Sequence, residues 1–238
     1  MLVVEPAAAQ SARDDTSKLV SIQGIRSATV APSGLAYGAV ALTNRQQDGD
    51  EFVDGPEGSL SFGFGVGDAS RTVGLQFSVN LTSLSDGVGE SGSLSIKASR
   101  RLGGLRVPTY VGLSVDRLAG WGEAEDFDPS TSLAVTMFPR IEVGDESYPL
   151  MLTAGVGSDI VDDQSDPGVF LGAGVGLTHN LGASVAWTGE TVSLGTVFRV
   201  DGLDSMRFGA SVDDVFDQED RRRLVLTATF FVDDLFGR

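Results

Sequence analysis

His179 is the only histidine in the chain, and there is no cysteine. Disulfides, thiolate nucleophiles and cysteine-ligated zinc all need a sulfur that is missing. A two-histidine metal site is excluded as well. His179 stands in Thr178-His179-Asn180, a tight turn between two alternating segments. A barrel-wall hydrolase with Ser and His two residues apart would need Ser at position 181, where the chain has Leu181. His179 therefore reads as a turn residue. No nucleophile, base and orienting group come together in the pattern, so an enzyme is not expected.

Two other motifs have the outline of binding sites. Gly172, Gly174 and Gly176 have the spacing of a phosphate loop in part, but a dinucleotide fingerprint is G-x-G-x-x-G between a strand and a helix. Here the glycines alternate within a strand, so no cofactor is expected. Asp48 and Asp50, and Asp162, Asp163 and Asp166, offer oxygen ligands of the kind Ca²⁺ takes. Phe52 fills a position where a calcium loop needs Asp or Asn, so these are weak metal candidates. Solvated acidic loops are the simpler reading. Loose divalent-cation binding that bridges to lipid phosphates or lipopolysaccharide is the other. Arg221, Arg222 and Arg223 have neighbours in Asp217, Glu219 and Asp220, and either pair with them or touch anionic head groups.

The charges best placed to act on a solute are Lys97, Asp116, Arg199, Arg207 and Asp213. All fall on the small-residue face of alternating segments. If that face lines a lumen, charges there set ion preference. The competing reading is a set of internal salt bridges that brace or plug the interior. The residue pattern leaves both open.

The elements that carry these residues are strands. Leu60, Phe62, Phe64 and Val66 alternate with Ser59, Ser61, Gly63, Gly65 and Gly67. Val73, Leu75, Phe77, Val79 and Leu81 alternate with polar or small residues, and so do Val169, Leu171, Ala173, Val175 and Leu177. Successive side chains of a strand point to opposite faces, so each segment has one apolar face and one small or polar face. About twelve such segments follow one another, starting near residues 34, 58, 71, 92, 106, 131, 149, 168, 181, 191, 206 and 223. Each is roughly 8 to 12 residues long, close to the 9 to 11 that a tilted strand needs to cross a bilayer. No apolar run reaches the roughly 20 residues of a membrane helix.

A soluble sandwich would present Lys, Glu and Arg on its outward face. Here the non-apolar face is Gly, Ser and Thr, as a crowded barrel interior requires. The loops sort charge by side. One set of alternate connections collects about 21 of the 33 acidic residues, in clusters such as Glu123, Glu125, Asp126 and Asp128. The other set is short and nearly neutral, with Arg71, Arg100, Arg101, Arg106, Arg140 and Arg207 offsetting its acids. Short turns on one side and longer loops on the other are the habit of outer-membrane barrels. The expected fold is thus all-β: a closed antiparallel up-and-down transmembrane β-barrel of about 12 strands, in a bacterial outer membrane. The aromatic girdles look thin: Tyr37, Phe138, Trp187 and Phe198 are candidate interface anchors, and core packing explains them equally well. The last strand, Leu224 to Val232, resembles a C-terminal insertion signal, although the chain ends Phe236-Gly237-Arg238 and not on an aromatic residue.

Glycine numbers 31 of 238 residues, about twice the usual share of roughly 7%. The net charge of −16 repels phosphate, so no nucleic-acid partner is expected. The lipid bilayer is the expected partner. Residues 1–9 end in an A-x-A pattern like the tail of a secretory signal. Residues 10–33 read as a polar N-terminal extension with room for one short helical turn. Residues 34–238 read as the barrel domain. Whether 10–33 plug the barrel or hang beside it is open at this level.

Trp187-Thr188-Gly189-Glu190, followed by Val192-Ser193-Leu194-Gly195, resembles a group of glycine-rich β-barrel proteins of cyanobacteria. Gly58 to Leu81 and Ser114 to Arg117 are similar in character, and the likeness covers roughly residues 34–202. It implies the barrel architecture and a Gram-negative-type envelope, and no catalytic residue. The expected function is a passive pore or channel for ions or small solutes. The alternatives are a structural or surface-interaction barrel with a blocked lumen and acidic extracellular loops, and a soluble all-β protein.

Overall fold

The computed structural model describes residues 18–48, 51–82, 89–161, 166–218 and 222–236. Thirteen strands follow in chain order: β1 (Ala36–Asp48), β2 (Glu51–Gly67), β3 (Gly74–Leu81), β4 (Gly92–Arg101), β5 (Thr109–Asp116), β6 (Ser130–Met137), β7 (Arg140–Val143), β8 (Glu146–Val161), β9 (Asp166–Gly176), β10 (Leu181–Trp187), β11 (Val192–Phe198), β12 (Met206–Asp213) and β13 (Arg223–Val232). Each pairs antiparallel with its neighbour, except that β6 pairs with β8 and the short β7 pairs only with β8. β1 closes the circle on β13, with Ala36 opposite Val232 and Thr43 opposite Val225. Twelve strands thus form a closed barrel, and β7 with the start of β8 makes a hairpin that projects beyond it.

Closure follows from the physics of the wall. Lipid offers no hydrogen bond to a free sheet edge, so every strand must find two neighbours. The outward residues are those that lipid prefers. Leu42, Phe62, Leu113, Leu133, Val156, Leu171, Leu194, Leu226 and Phe230 are all exposed on the outer face. The inward face carries Ser61, Asn80, Ser95, Ser114, Thr136, Thr153, Ser193 and Ser211, all buried.

Two strands are longer than the sequence pattern predicts by four residues or more: β2 has 17 residues and β8 has 16. Both run past the apolar belt. β1 and β2 stay paired out to Asp48 and Glu51, and Glu146 to Pro149 pair with β7 alone.

The strand ends opposite the β1 start are here termed the far end. The near end holds the β2–β3, β4–β5, β9–β10 and β11–β12 turns. Phenylalanines gather on the outer face of the near half. Phe64 stacks on Phe77 at 5.6 Å and meets Phe236 edge-on at 6.2 Å, while Phe198 stacks on Phe208 at 5.5 Å. Trp187 and Phe198 are exposed on the outer face. Tyr37 and Phe138 are not interface anchors. Tyr37 is buried inside the barrel, where its hydroxyl bonds Ser78 at 2.7 Å and accepts from Gln76 at 3.0 Å. Phe138 packs on interior clusters, edge-on to Tyr110 at 6.0 Å. Both have inward neighbours because the lumen holds something apolar to pack against.

That something is the chain's own N-terminal segment, residues 18–34. It enters at the near end, where Leu19 N donates to Thr178 O at 2.9 Å. It climbs along β9 to β12, turns over near the far end, and descends past β6, β5 and β3. It leaves where Gly34 N donates to Gly65 O at 3.1 Å, and runs into β1. Gly24 has φ +86° at the turn, a backbone conformation that costs glycine little. Among described residues 18–26 there is no helical turn. Wall contacts, and not helical hydrogen bonds, hold this backbone.

Candidate functional site: the occupied lumen

The inner glycines are read out by the inserted segment. A Cβ on Gly65 would lie 2.0 Å from Ala31 O, on Gly174 2.2 Å from Ser21 O, on Gly182 2.4 Å from Leu19 O, and on Gly112 2.7 Å from Ala28. Real Cβ atoms do not approach so closely, so these positions must be bare for the segment to pass. Elsewhere the segment supplies the apolar half of the fit. Ala28 packs with Tyr110, Ala134 and Phe170, and Ile22 with Met151 and Ala186. Phe170 is 1% exposed although its neighbours on the same strand face, Gly168, Gly172, Gly174 and Gly176, are glycines.

The polar fit centres on Arg26 at the top of the inserted loop. Its Nη1 and Nη2 donate to the two carboxylate oxygens of Asp159 on β8, at 3.1 and 3.3 Å. Its Nε lies 3.3 Å from Asp116 Oδ2 on β5, an ion pair without hydrogen-bond geometry. Arg117 Nη2 reaches Asp159 Oδ2 at 3.1 Å, and Arg117 Nε donates to Asp128 O at 3.0 Å. Two guanidiniums thus face two carboxylates, each side chain 12% exposed or less. Among the described residues the cluster sets two positive charges against two negative ones. Removing any one member leaves a buried charge without its counter-ion.

Of the five charges that the sequence singled out, Lys97 and Asp116 are buried on the inner face of β4 and β5. Arg207 is buried on β12, with its Nη1 donating to Asp204 O and Met206 O at 2.8 and 2.7 Å. Asp213 faces inward and pairs with Arg223 at 3.2 Å. Arg199 follows β11 at the near end, half-buried, and its Nε and Nη2 have no protein partner among the described residues. The structure gathers Asp116 into the Arg26 cluster. Arg207 and Arg199 lie at the other end of the lumen.

Three members of the cluster were not singled out from sequence. Asp159 continues the inward parity of Thr153, Gly155 and Gly157, and that signal would have found it. Arg117 follows inward-facing Asp116, so strand parity alone would turn it outward. A left-handed φ of +55° brings it back. Arg26 lies in a segment with no strand pattern at all.

The weaker candidates separate. Asp166 is exposed, Asp48 lies in β1, and Asp50, Asp162 and Asp163 fall outside the described residues. Among the described residues no three acidic or histidine side chains gather around a common point. Arg222 pairs with Asp217 at 3.1 Å, and Arg221 falls outside the described residues. His179 is exposed in its turn, 4.0 Å from Asp201.

Two carboxylates outside the belt are held below their ordinary range. Asp68, in the β2–β3 turn, accepts from the hydroxyl and backbone N–H of Ser70 at 2.5 and 2.8 Å. Glu146, in the projecting β7–β8 hairpin, accepts from Lys18 at 2.5 Å. Lys18 also lies 3.5 Å over the Tyr148 ring, so the foot of the inserted segment is tied to this hairpin.

No protein-family model matches the chain, and no curated protein matches it. Solved structures do. A KdgM porin in complex with disordered oligogalacturonate superimposes with a TM-score of 0.53 at 12% identity, over 82% of this chain and 98% of that one. An outer membrane channel from Pseudomonas putida F1 gives 0.48 at 12% identity, over 88% and 99%. The outer membrane protein Omp33 of Acinetobacter baumannii gives 0.48 at 13%, over 83% and 97%. At these identities the likeness is one of fold: the chain has the closed antiparallel barrel seen in outer-membrane proteins.

Proposed function

We propose that this protein is an outer-membrane pore for ions or small solutes, narrowed by its own N-terminal segment. The observation that carries the reading is the pairing of a lipid-compatible outer face with a polar, charge-bearing interior in one closed barrel. A soluble barrel has no use for an outer face of exposed Leu, Val and Phe around its whole circumference. A barrel of twelve strands has an interior larger than side chains alone fill. The pore reading fits the porin and channel whose folds are similar. It needs no enzyme activity and no cofactor.

The far end carries the acidic loops and faces outward in this reading. Lipopolysaccharide or divalent cations are its proposed partners there, through the acidic side chains. The resemblance to the cyanobacterial group fits the same envelope. Residues 1–9 fit the tail of an export signal.

A second reading is favoured by a specific observation. Residues 18–34 fill the lumen from the near end to the Arg26 cluster, as they would in a structural or surface-interaction barrel with a permanently blocked interior.

Conductance across a planar lipid bilayer, with protein refolded in detergent, tests the proposal. Discrete steps are expected. A silent bilayer from protein that still shows a heat-dependent gel shift would shift the weight to the blocked barrel. Monodisperse protein without detergent would overturn the membrane reading.

A further inference from the structure

We infer that residues 18–34 form a voltage-responsive gate, closed by Asp159 and charged by Arg26. The inference rests on the pore reading above.

The segment is held by separate contacts and not by a ladder. Gln23 N donates to Ser184 Oγ at 3.2 Å, Ala28 N to Thr136 Oγ1 at 2.8 Å, and Ala31 N to Gln76 Oε1 at 2.9 Å. These acceptors are side chains. The strand register from β1 to β13 does not include the segment beyond one bridge, Ser33 to Gly65. It can therefore withdraw without breaking the hydrogen bonds that close the wall. Since it enters and leaves at the near end, the way out is toward that end.

Its charge is one-sided. Between Lys18 and Gly34 the charged residues are Lys18 and Arg26, both cationic. Lys18 already sits at the near end against Glu146. Arg26 sits deep, beside the far ends of β5 and β8. Withdrawal carries the Arg26 charge through most of the membrane field. A potential negative at the near end therefore favours the open state, and the opposite polarity favours the closed one. One elementary charge across the whole field changes an equilibrium by up to about 50-fold per 100 mV.

Asp159 is the latch because it stands between two guanidiniums. With its charge present, Arg26 and Arg117 share a counter-ion. Without it, Asp116 is the carboxylate left facing two positive charges among the described residues, and Arg117 repels Arg26 from its seat. A buried ion cluster is a poor source of net stability compared with apolar packing of the same volume. It is well suited to a contact that must hold in one state and release in the other.

The test is single-channel recording on the full chain, with variants that lock and unlock the segment. The chain has no cysteine, so a Gln23→Cys, Gly195→Cys pair can form only one disulfide. A Cβ on Gly195 lies 2.6 Å from Gln23 Cβ, and a shift of about 1 Å reaches disulfide geometry. The gate predicts openings that favour one polarity, abolished by oxidation of this pair and restored by reductant. It predicts at least about tenfold higher open probability in Asp159→Asn, and a flattened voltage dependence in Arg26→Gln. Openings unchanged by the disulfide, or a voltage slope unchanged in Arg26→Gln, overturn the gate and leave the pore standing. Silence in the native chain with conduction in Asp159→Asn supports both. Silence in the native chain and in both single variants overturns the pore as well.

Discussion

Asp159 receives both Nη atoms of Arg26, at 3.1 and 3.3 Å, across 133 residues of sequence. The contact joins a loop of irregular backbone to a strand near the far mouth of the barrel. It fixes how deep the N-terminal segment sits, because a guanidinium and a carboxylate meet well in one paired geometry. Everything below it, down to Lys18 and Gly34, is threaded by that depth and by the glycines that make room.

The outer face predicts where charge is intolerable. Leu226 is 47% exposed on β13, opposite Leu42 on β1 and Ala210 on β12. Leu226→Arg should destabilise the folded barrel in lipid by about 2–4 kcal/mol. Val143→Arg, in the projecting hairpin where Val143 is 61% exposed, should change little. Urea unfolding in vesicles measures both. Equal effects at the two sites would mean that β13 does not face lipid.

The inner glycines predict steric losses confined to the segment's path. Gly65→Ala places a methyl 2.0 Å from Ala31 O and should cost about 1–3 kcal/mol, or expel the descending arm. Gly103→Ala, where a Cβ meets nothing within 4 Å, should be silent. Limited proteolysis between residues 18 and 34 reports expulsion. A Gly65→Ala protein as resistant as the native one, and as stable, would contradict the threading.

Glu146 predicts a pH dependence at the foot of the segment. Its hydrogen bond and attraction to Lys18 hold its carboxyl below the ordinary glutamate range. A carboxylate with a depressed folded pKa stabilises above its unfolded value, and that contribution is lost as pH falls through the folded one. The tether should be intact at neutral pH and weaken only below pH 4.5. Hydrogen exchange at Leu19 and Val20 should rise in that range and not above it. Glu146→Gln should remove the dependence. A rise between pH 5 and 7 in the native chain would point to another group.

Arg199 predicts ion preference at the near mouth. Its Nε and Nη2 are shielded from solvent and have no hydrogen-bond partner among the described residues, so its charge is not neutralised there and acts on a passing ion through its field. Arg199→Gln should shift the reversal potential in a salt gradient toward cation preference, with conductance otherwise retained. Arg223→Gln, at a cation already paired with Asp213, should shift it less. Identical reversal potentials in the native chain and Arg199→Gln would remove Arg199 from the permeation path.

The barrel was legible in the sequence because strand parity is a local property. Leu60, Phe62 and Phe64 alternate with Ser61, Gly63 and Gly65, and two residues of spacing decide which face each one joins. The twelve-strand closure followed from the same repeat, together with the demand that a lipid-bound sheet leave no edge. The phenylalanine belt was in the sequence too, spread over Phe62, Phe64, Phe77, Phe198, Phe208 and Phe230, but one end of a barrel is assembled from residues far apart in order.

The tertiary structure alone decided what fills the interior. Residues 18–34 have no strand or helix period, so nothing local says whether they enter the lumen. The many inner glycines were a trace of that entry, since they mark where another backbone passes, but a glycine does not name its visitor. Arg117 turns inward only because its backbone is left-handed, and Asp159 meets Arg26 only because the loop climbs to its level. Local alternation fixed the wall, whereas the contents of the lumen depend on contacts between residues more than a hundred positions apart, which no repeat along the chain encodes.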